Sequence, residues 1–87
     1  MSETQGPPEE LIGEVIHFFS HVPAAVLRLA AELKLGDTIH IVGHTTDFVQ
    51  VVESMQIEHE VVESAGPGDD VALEVIDKVR EGDQVFK

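Results

Sequence analysis

A chain of 87 residues holds one compact domain and not two, and 43% hydrophobic residues supply a core for it. The absence of cysteine excludes disulfide staples, thiol nucleophiles and thiolate metal sites. Seventeen acidic residues against five basic ones give a formal net charge of −12, which disfavours direct contact with the phosphates of DNA or RNA. With no Trp, no Tyr and four Phe, the core must be built from Val, Ile and Leu. No stretch reaches the ~20 apolar residues of a membrane helix. Met1 to Glu10 has neither the basic start nor the apolar run of a signal peptide. These features predict a cytoplasmic, monomeric protein with no membrane segment, kept in solution by its acidic surface; a basic protein partner is the sharper reading of the same charge.

Residues 1–10, with Gly6-Pro7-Pro8-Glu9-Glu10, read as a flexible arm extended at the prolines, and residues 11–87 as a single domain. Ile12 to Phe19 is β-branched and aromatic. Strict alternation places Gly13, Val15, His17 and Phe19 on one face and Ile16 and Phe18 on the other, as in a strand covered on both sides. A turn at Ser20-His21-Val22-Pro23 follows. Residues 23–36 carry two patterns at once. Pro23 suits a first helical position, Val26, Leu29, Ala30 and Leu33 share a helical face, and Gly36 is placed to cap the end. Ala25, Leu27 and Leu29 also alternate with Val26 and Arg28 as in a strand.

Asp37 to Val42 reads as a strand with Ile39 and Ile41 inward and Thr38 and His40 outward. Gly43-His44-Thr45-Thr46-Asp47 is a polar turn, Phe48 to Glu53 is again β-rich, and Ser54 to Glu58 continues it through a bend. Ala65 to Asp69 is a loop. Asp70 to Arg80 repeats the ambiguity, since Val71, Leu73 and Val75 alternate while Val71, Val75 and Val79 fit a helix. Three Gly-Asp pairs, Gly36-Asp37, Gly68-Asp69 and Gly82-Asp83, each precede an apolar alternation. Gly supplies the positive φ of a tight turn and Asp can bond the backbone two residues on.

Taken in order, Ile12-Gly13-Glu14-Val15, Leu33-Lys34-Leu35-Gly36-Asp37-Thr38-Ile39 with Val42-Gly43, Val51-Val52-Glu53-Ser54-Met55-Gln56, Ala65-Gly66-Pro67-Gly68-Asp69-Asp70-Val71-Ala72-Leu73 and Val79-Arg80-Glu81-Gly82-Asp83-Gln84-Val85 resemble the second, β-barrel domain of the translational GTPases such as elongation factor Tu. The run Ile39 to Phe48 with Glu53 to His59 is similar to small stand-alone translation-elongation-factor-like proteins. A similar barrel occurs at the C-terminus of some collagenase-like peptidases. The resemblance implies an all-β fold, a small closed Greek-key barrel of about six strands. In it Ala24 to Leu29 is the second strand, Val71 to Ile76 a later one, and Ala30 to Lys34 a connection; the rival fold is an α+β sandwich with two helices. No Gly-x-x-x-x-Gly-Lys-Ser/Thr loop is present, so GTP chemistry does not carry over, and no tRNA-contacting residue can be matched.

Five histidines, His17, His21, His40, His44 and His59, are candidate metal ligands, but no tight His pair or His-Glu-x-x-His pattern joins them. Ser20 beside His21 and Ser54 beside Glu53 lack the surroundings of an activated nucleophile. No catalytic residue, cofactor or metal ligand is therefore assigned. The structural positions are the turns at Gly36, Asp37, Gly68, Asp69, Gly82 and Asp83. The candidate partner surface is His44, Thr45, Thr46 and Asp47 with Glu58 and Glu60, and Lys78, Arg80 and Lys87 form one small basic cluster. The expectation is a non-enzymatic, translation-related binding module that docks a protein or ribonucleoprotein partner. An RNA-contacting accessory is the alternative and an enzyme the third reading.

Overall fold

The computed structural model describes residues 10–87. The arm expected over residues 1–10 lies outside the described residues except for Glu10, whose backbone N–H and C=O both bond Lys87, 2.9 Å each. Ten strands and no helix occur among the described residues: β1 Leu11–Phe19, β2 Ala24–Leu29, β3 Leu33–Lys34, β4 Thr38–Val42, β5 Asp47–Val51, β6 Gln56–Ile57, β7 Glu60–Val61, β8 Ser64–Ala65, β9 Asp70–Glu74 and β10 Gln84–Phe86.

Both ambiguous segments are strands. β2 lies between β1 and β9, antiparallel to each, with Val15 opposite Leu27 and Leu27 opposite Val71. A helix over residues 24–33 would leave the facing edges of β1 and β9 unpaired, and each orphaned buried backbone group costs about 1–3 kcal/mol. Helix propensity, worth at most ~1 kcal/mol per ordinary residue, loses that comparison. The burial pattern follows the strand period: Ala25, Leu27 and Leu29 are buried, while Arg28 is exposed.

β1 departs from strict alternation. Its register shifts between Leu11 and Gly13 against β10 and between Val15 and His17 against β2. A bulge sends the following side chains to the other face. Ile12 and Val15 therefore enter the core, whereas His17 and Phe19, expected to share Val15's face, are exposed. The core is one cluster of buried aliphatic side chains from seven of the ten strands and the segments between them, including Ile12, Leu27, Leu33, Ile39, Ile41, Met55, Val71 and Val85.

Eight strands form one antiparallel sheet in the order β5-β4-β10-β1-β2-β9-β6-β7, and β3 with β8 forms a separate pair. The all-β class expected from the sequence is present. The closed six-stranded barrel is not: β5 and β7 are the two ends of the sheet order, and no ladder joins them among the described residues. The sheet nevertheless rolls far enough for Gln50 on β5 to reach the segment after β9. Its Nε2 donates to the carbonyl of Glu74 at 2.8 Å, and its Oε1 accepts from the N–H of Ile76 at 2.9 Å.

The three Gly-Asp turns share one geometry. Gly36, Gly68 and Gly82 take φ of 91°, 89° and 96°, the left-handed conformation that the third residue of a type II turn needs. The Asp that follows donates its N–H back to the carbonyl of the residue three earlier, from Asp37 to Lys34, Asp69 to Gly66 and Asp83 to Arg80, at 3.0–3.1 Å. Its carboxylate accepts the N–H of that same residue at 2.9, 2.9 and 2.8 Å. The carboxylate thus reaches back three residues to close the turn, rather than two residues onward.

Asp37 also accepts from the Lys87 ammonium at 3.0 Å. Partial burial alone would raise its carboxyl; the bonds from the Lys34 N–H and from Lys87 outweigh that and hold it below the ordinary 3.8. A carboxyl depressed in the folded state adds stability that is complete above the unfolded value and disappears as pH falls through the folded one. Thermal midpoints measured downward from pH 5 are therefore expected to fall less steeply in Lys87→Met, which lacks that stabilising partner, than in the wild type; parallel curves would refute the coupling.

Candidate functional site

The gap between β5 and the chain after β9 is the most elaborated concave feature. One groove of about 360 Å³ has Gln50, Val51, Glu53 and Ser54 on one bank and Glu74, Val75 and Ile76 on the other. A second, about 350 Å³, has Thr45, Thr46, Asp47 and Phe48 facing Asp77, Lys78 and Arg80. Both have residues from the β5 region on one side and residues from segment 74–80 on the other, so they form a single seam, with the Gln50 clip at its middle.

The residues on β5 face the seam for a definable reason. Gly43 and Thr46 exchange backbone bonds, and Val52 N–H bonds Asp37 C=O at 2.8 Å. Between those two pairs the register runs Ile41 opposite Phe48 and Ile39 opposite Gln50. In an antiparallel ladder, hydrogen-bonded and non-bonded pairs alternate. Phe48 and Gln50 therefore direct their backbone groups to β4, and Asp47, Val49 and Val51 direct theirs to the open edge. Side chains alternate with the same period: Phe48 packs on the core, while Asp47, Val49 and Val51 are exposed.

Thr45, Thr46 and Asp47 from the expected partner surface come together on the seam opposite Lys78 and Arg80. Thr46 is buried, and His44 stands exposed in the adjoining turn. Glu58 and Glu60 do not join them; they flank the β6–β7 turn, where Glu58 and His59 take φ of 51° and 68°. Lys87 leaves the expected basic cluster to bond Asp37 and the carbonyl of Glu32, while Lys78 and Arg80 line the seam. The seam's charge is therefore uneven: Glu53 and Glu74 line the Val51 end, while its cations, Lys78 and Arg80, lie at the other end beside Asp47 and Asp77.

The histidines are scattered. His17 lies 3.4 Å from Glu81 and edge-on to Phe19, and His40 Nε2 lies 2.6 Å from Asp47 Oδ1. Among the described residues no group of three or more His, Asp or Glu is placed to hold a metal ion. Gln50 is the seam residue that sequence reasoning missed. Its signal was present, since a polar side chain in phase with Phe48 on the inward side of a strand requires a bonding partner. Arg28 and Asp70 pair across β2 and β9 at 3.0 and 3.3 Å. The Arg28 bond lowers the Asp70 carboxyl, but both groups are exposed and outside the seam.

No protein-family model matches the chain. It is 47% identical over 76 residues to an uncharacterized protease of Methanocaldococcus jannaschii, a match that spans 86% of this chain and 19% of that protein. It is 35% identical over 78 residues to a collagenase of Porphyromonas gingivalis, across 87% of this chain and 22% of that one. The chain thus spans about a fifth of the length of the curated relatives it matches. Among solved structures it is similar to the C-terminal domain of a candidate U32 peptidase from Geobacillus thermoleovorans, with a TM-score of 0.86 at 21% identity, covering 90% of this chain and 99% of that one. A second crystal structure of that domain gives 0.83 at 20% identity.

These findings overturn the translation-factor assignment and, with it, the expectation of a non-enzymatic translation module. The named relatives are a protease and a collagenase, and the solved neighbours come from a peptidase. The misassignment has a physical source. A type II turn closed by Asp before a strand solves a backbone problem common to many small β domains, so its recurrence carries no information about the chemistry of the protein that uses it.

Proposed function

We propose that this chain is the β domain of a U32-type peptidase system and acts together with a U32-type peptidase on peptide or protein substrates. The 47% identity to a protease across 86% of the chain carries this reading; the fold, shared with a U32 peptidase C-terminal domain, agrees with it. The surface we assign to the partner is the seam end formed by Thr45 and Asp47 with Lys78 and Arg80, next to His44. The same proposal includes a sheet that closes into a barrel when the seam is filled, supported by the Gln50 clip across it. It also includes a cytoplasmic setting, supported by the cysteine-free composition. The test is to purify a U32-type peptidase from the same cell with and without this chain and to measure hydrolysis of gelatin. Co-elution and faster hydrolysis are expected with the chain present. An unchanged rate, together with co-sedimentation of the chain with ribosomes, would overturn the reading.

A further inference from the structure

We infer that the seam is a binding site for an extended peptide with free termini, which adds as a strand to β5 and runs antiparallel to it. This goes beyond association with a peptidase; it shares Asp47, Lys78 and Arg80 with the partner surface assigned above, but its test reads peptide binding by the isolated chain, so the two proposals fail distinguishably.

The edge supplies the backbone half of the site. Asp47, Val49 and Val51 point their N–H and C=O groups away from β4, and no described residue pairs with them. An open row of this kind is a template for one more strand. The same residues expose Val49 and Val51, 54% and 48% accessible, on the outer face. Incoming apolar side chains at alternate positions would cover these two valines, because directly opposed β-branched pairs stabilise a sheet. Gln50 and Phe48 alternate with Val49 and Val51 along β5, so the clip to Glu74 and Ile76 leaves the strand from the face opposite the two exposed valines.

Charge sets the occupant and its direction. β5 runs from Asp47, across from Lys78 and Arg80, to Val51, beside Glu53 and Glu74. A peptide antiparallel to β5 begins near Glu53 and Glu74 and ends near Lys78 and Arg80. Its ammonium then meets carboxylates and its carboxylate meets cations. A parallel peptide would set its carboxylate against Glu53 and Glu74, the end of the seam with no cation, and its ammonium beside Lys78 and Arg80, where Asp47 and Asp77 offset part of the like charge. A second copy of this chain is the poorer occupant, since its −12 net charge opposes edge-to-edge pairing. At about 3.4 Å per residue, five or six residues span the seam from Thr46 to Val52.

The test uses the 87-residue chain, labelled with ¹⁵N, and a six-residue probe of alternating valine and threonine that starts with lysine and has free termini. Titration is expected to shift the amide protons of Asp47, Val49 and Val51 strongly and those of Phe48 and Gln50 weakly. C-terminal amidation of the probe should weaken binding about threefold to fivefold, as loss of an exposed ion pair does. Exchanging Lys78 and Arg80 for Glu should abolish that preference for the free acid. Val49→Pro removes an outward N–H without removing a bond to β4, so the fold should persist while binding is lost. If that variant unfolds, the same question is put to the wild type with probes methylated on alternate backbone nitrogens: one set should bind and the other should not. Binding that spares the β5 amides, indifference to amidation, equal affinity of both methylated sets, absence of binding at millimolar probe, or a dimer of the free chain formed through β5 would each overturn the proposal.

Discussion

Leu27→Ala is expected to lower the free energy of unfolding by about 2–5 kcal/mol, the range for removing a buried Leu side chain. Leu27 is fully buried in β2, flanked by Val15 on β1 and Val71 on β9. Ladders on both sides hold the backbone in place, so the space left by the lost methyls cannot close by a shift of the strand, which favours the upper part of that range. Small domains have total stabilities of about 5–15 kcal/mol, so a large fraction would be lost. Val49→Ala on the exposed edge is the control and should change stability by less than about 0.5 kcal/mol. Urea denaturation of both variants provides the measurement, and a Leu27→Ala loss no larger than the control's would contradict a central strand at this position.

The second large effect is expected at Gly43 and Asp83. A Cβ at Gly43 would stand well inside contact distance of the Asp83 carboxylate, which is buried and accepts the Arg80 N–H at 2.8 Å. Gly43→Ala should therefore cost about 1–3 kcal/mol by displacing that carboxylate. Asp83→Ala should cost about 1–3 kcal/mol by leaving the Arg80 N–H without its acceptor. The informative quantity is the double variant. Once the carboxylate is gone, the methyl at position 43 has nothing to displace, so the combined loss should fall short of the sum by about 0.5–3 kcal/mol. Strict additivity in chemical denaturation would show that the two positions do not touch.

This contact ties the β4–β5 turn to the turn before β10, two segments about 40 residues apart in sequence. Nothing local announces it. Gly43 lies in a polar run where a glycine is explained by the turn alone, and Asp83 looks like its counterparts at 37 and 69. Only the insertion of β10 between β4 and β1 brings them together. The seam has the same origin. Thr45, Thr46 and Asp47 were singled out as a polar surface from their sequence, but the opposing Lys78 and Arg80 became their neighbours through the roll of the sheet. Glu58 and Glu60, chosen from the same alternation of charge, stayed at another turn because β6 and β7 form their own hairpin.

By itself the sequence determined what depends on a few adjacent residues. The left-handed backbone at Gly36, Gly68 and Gly82 belongs here, since other residues are strained there. So does the alternation that buries Ile39 and Ile41 on β4. Tertiary structure decided what depends on partners. Residues 24–29 carry helical and strand patterns of similar local strength, and the unpaired edges of β1 and β9 selected the strand, because unbonded buried backbone groups cost more than local propensity gains. Whether the rolled sheet closes was equally beyond the sequence. Closure requires the two end strands, β5 and β7, to match in position and register, and here the Gln50 side chain links β5 to the end of β9 instead.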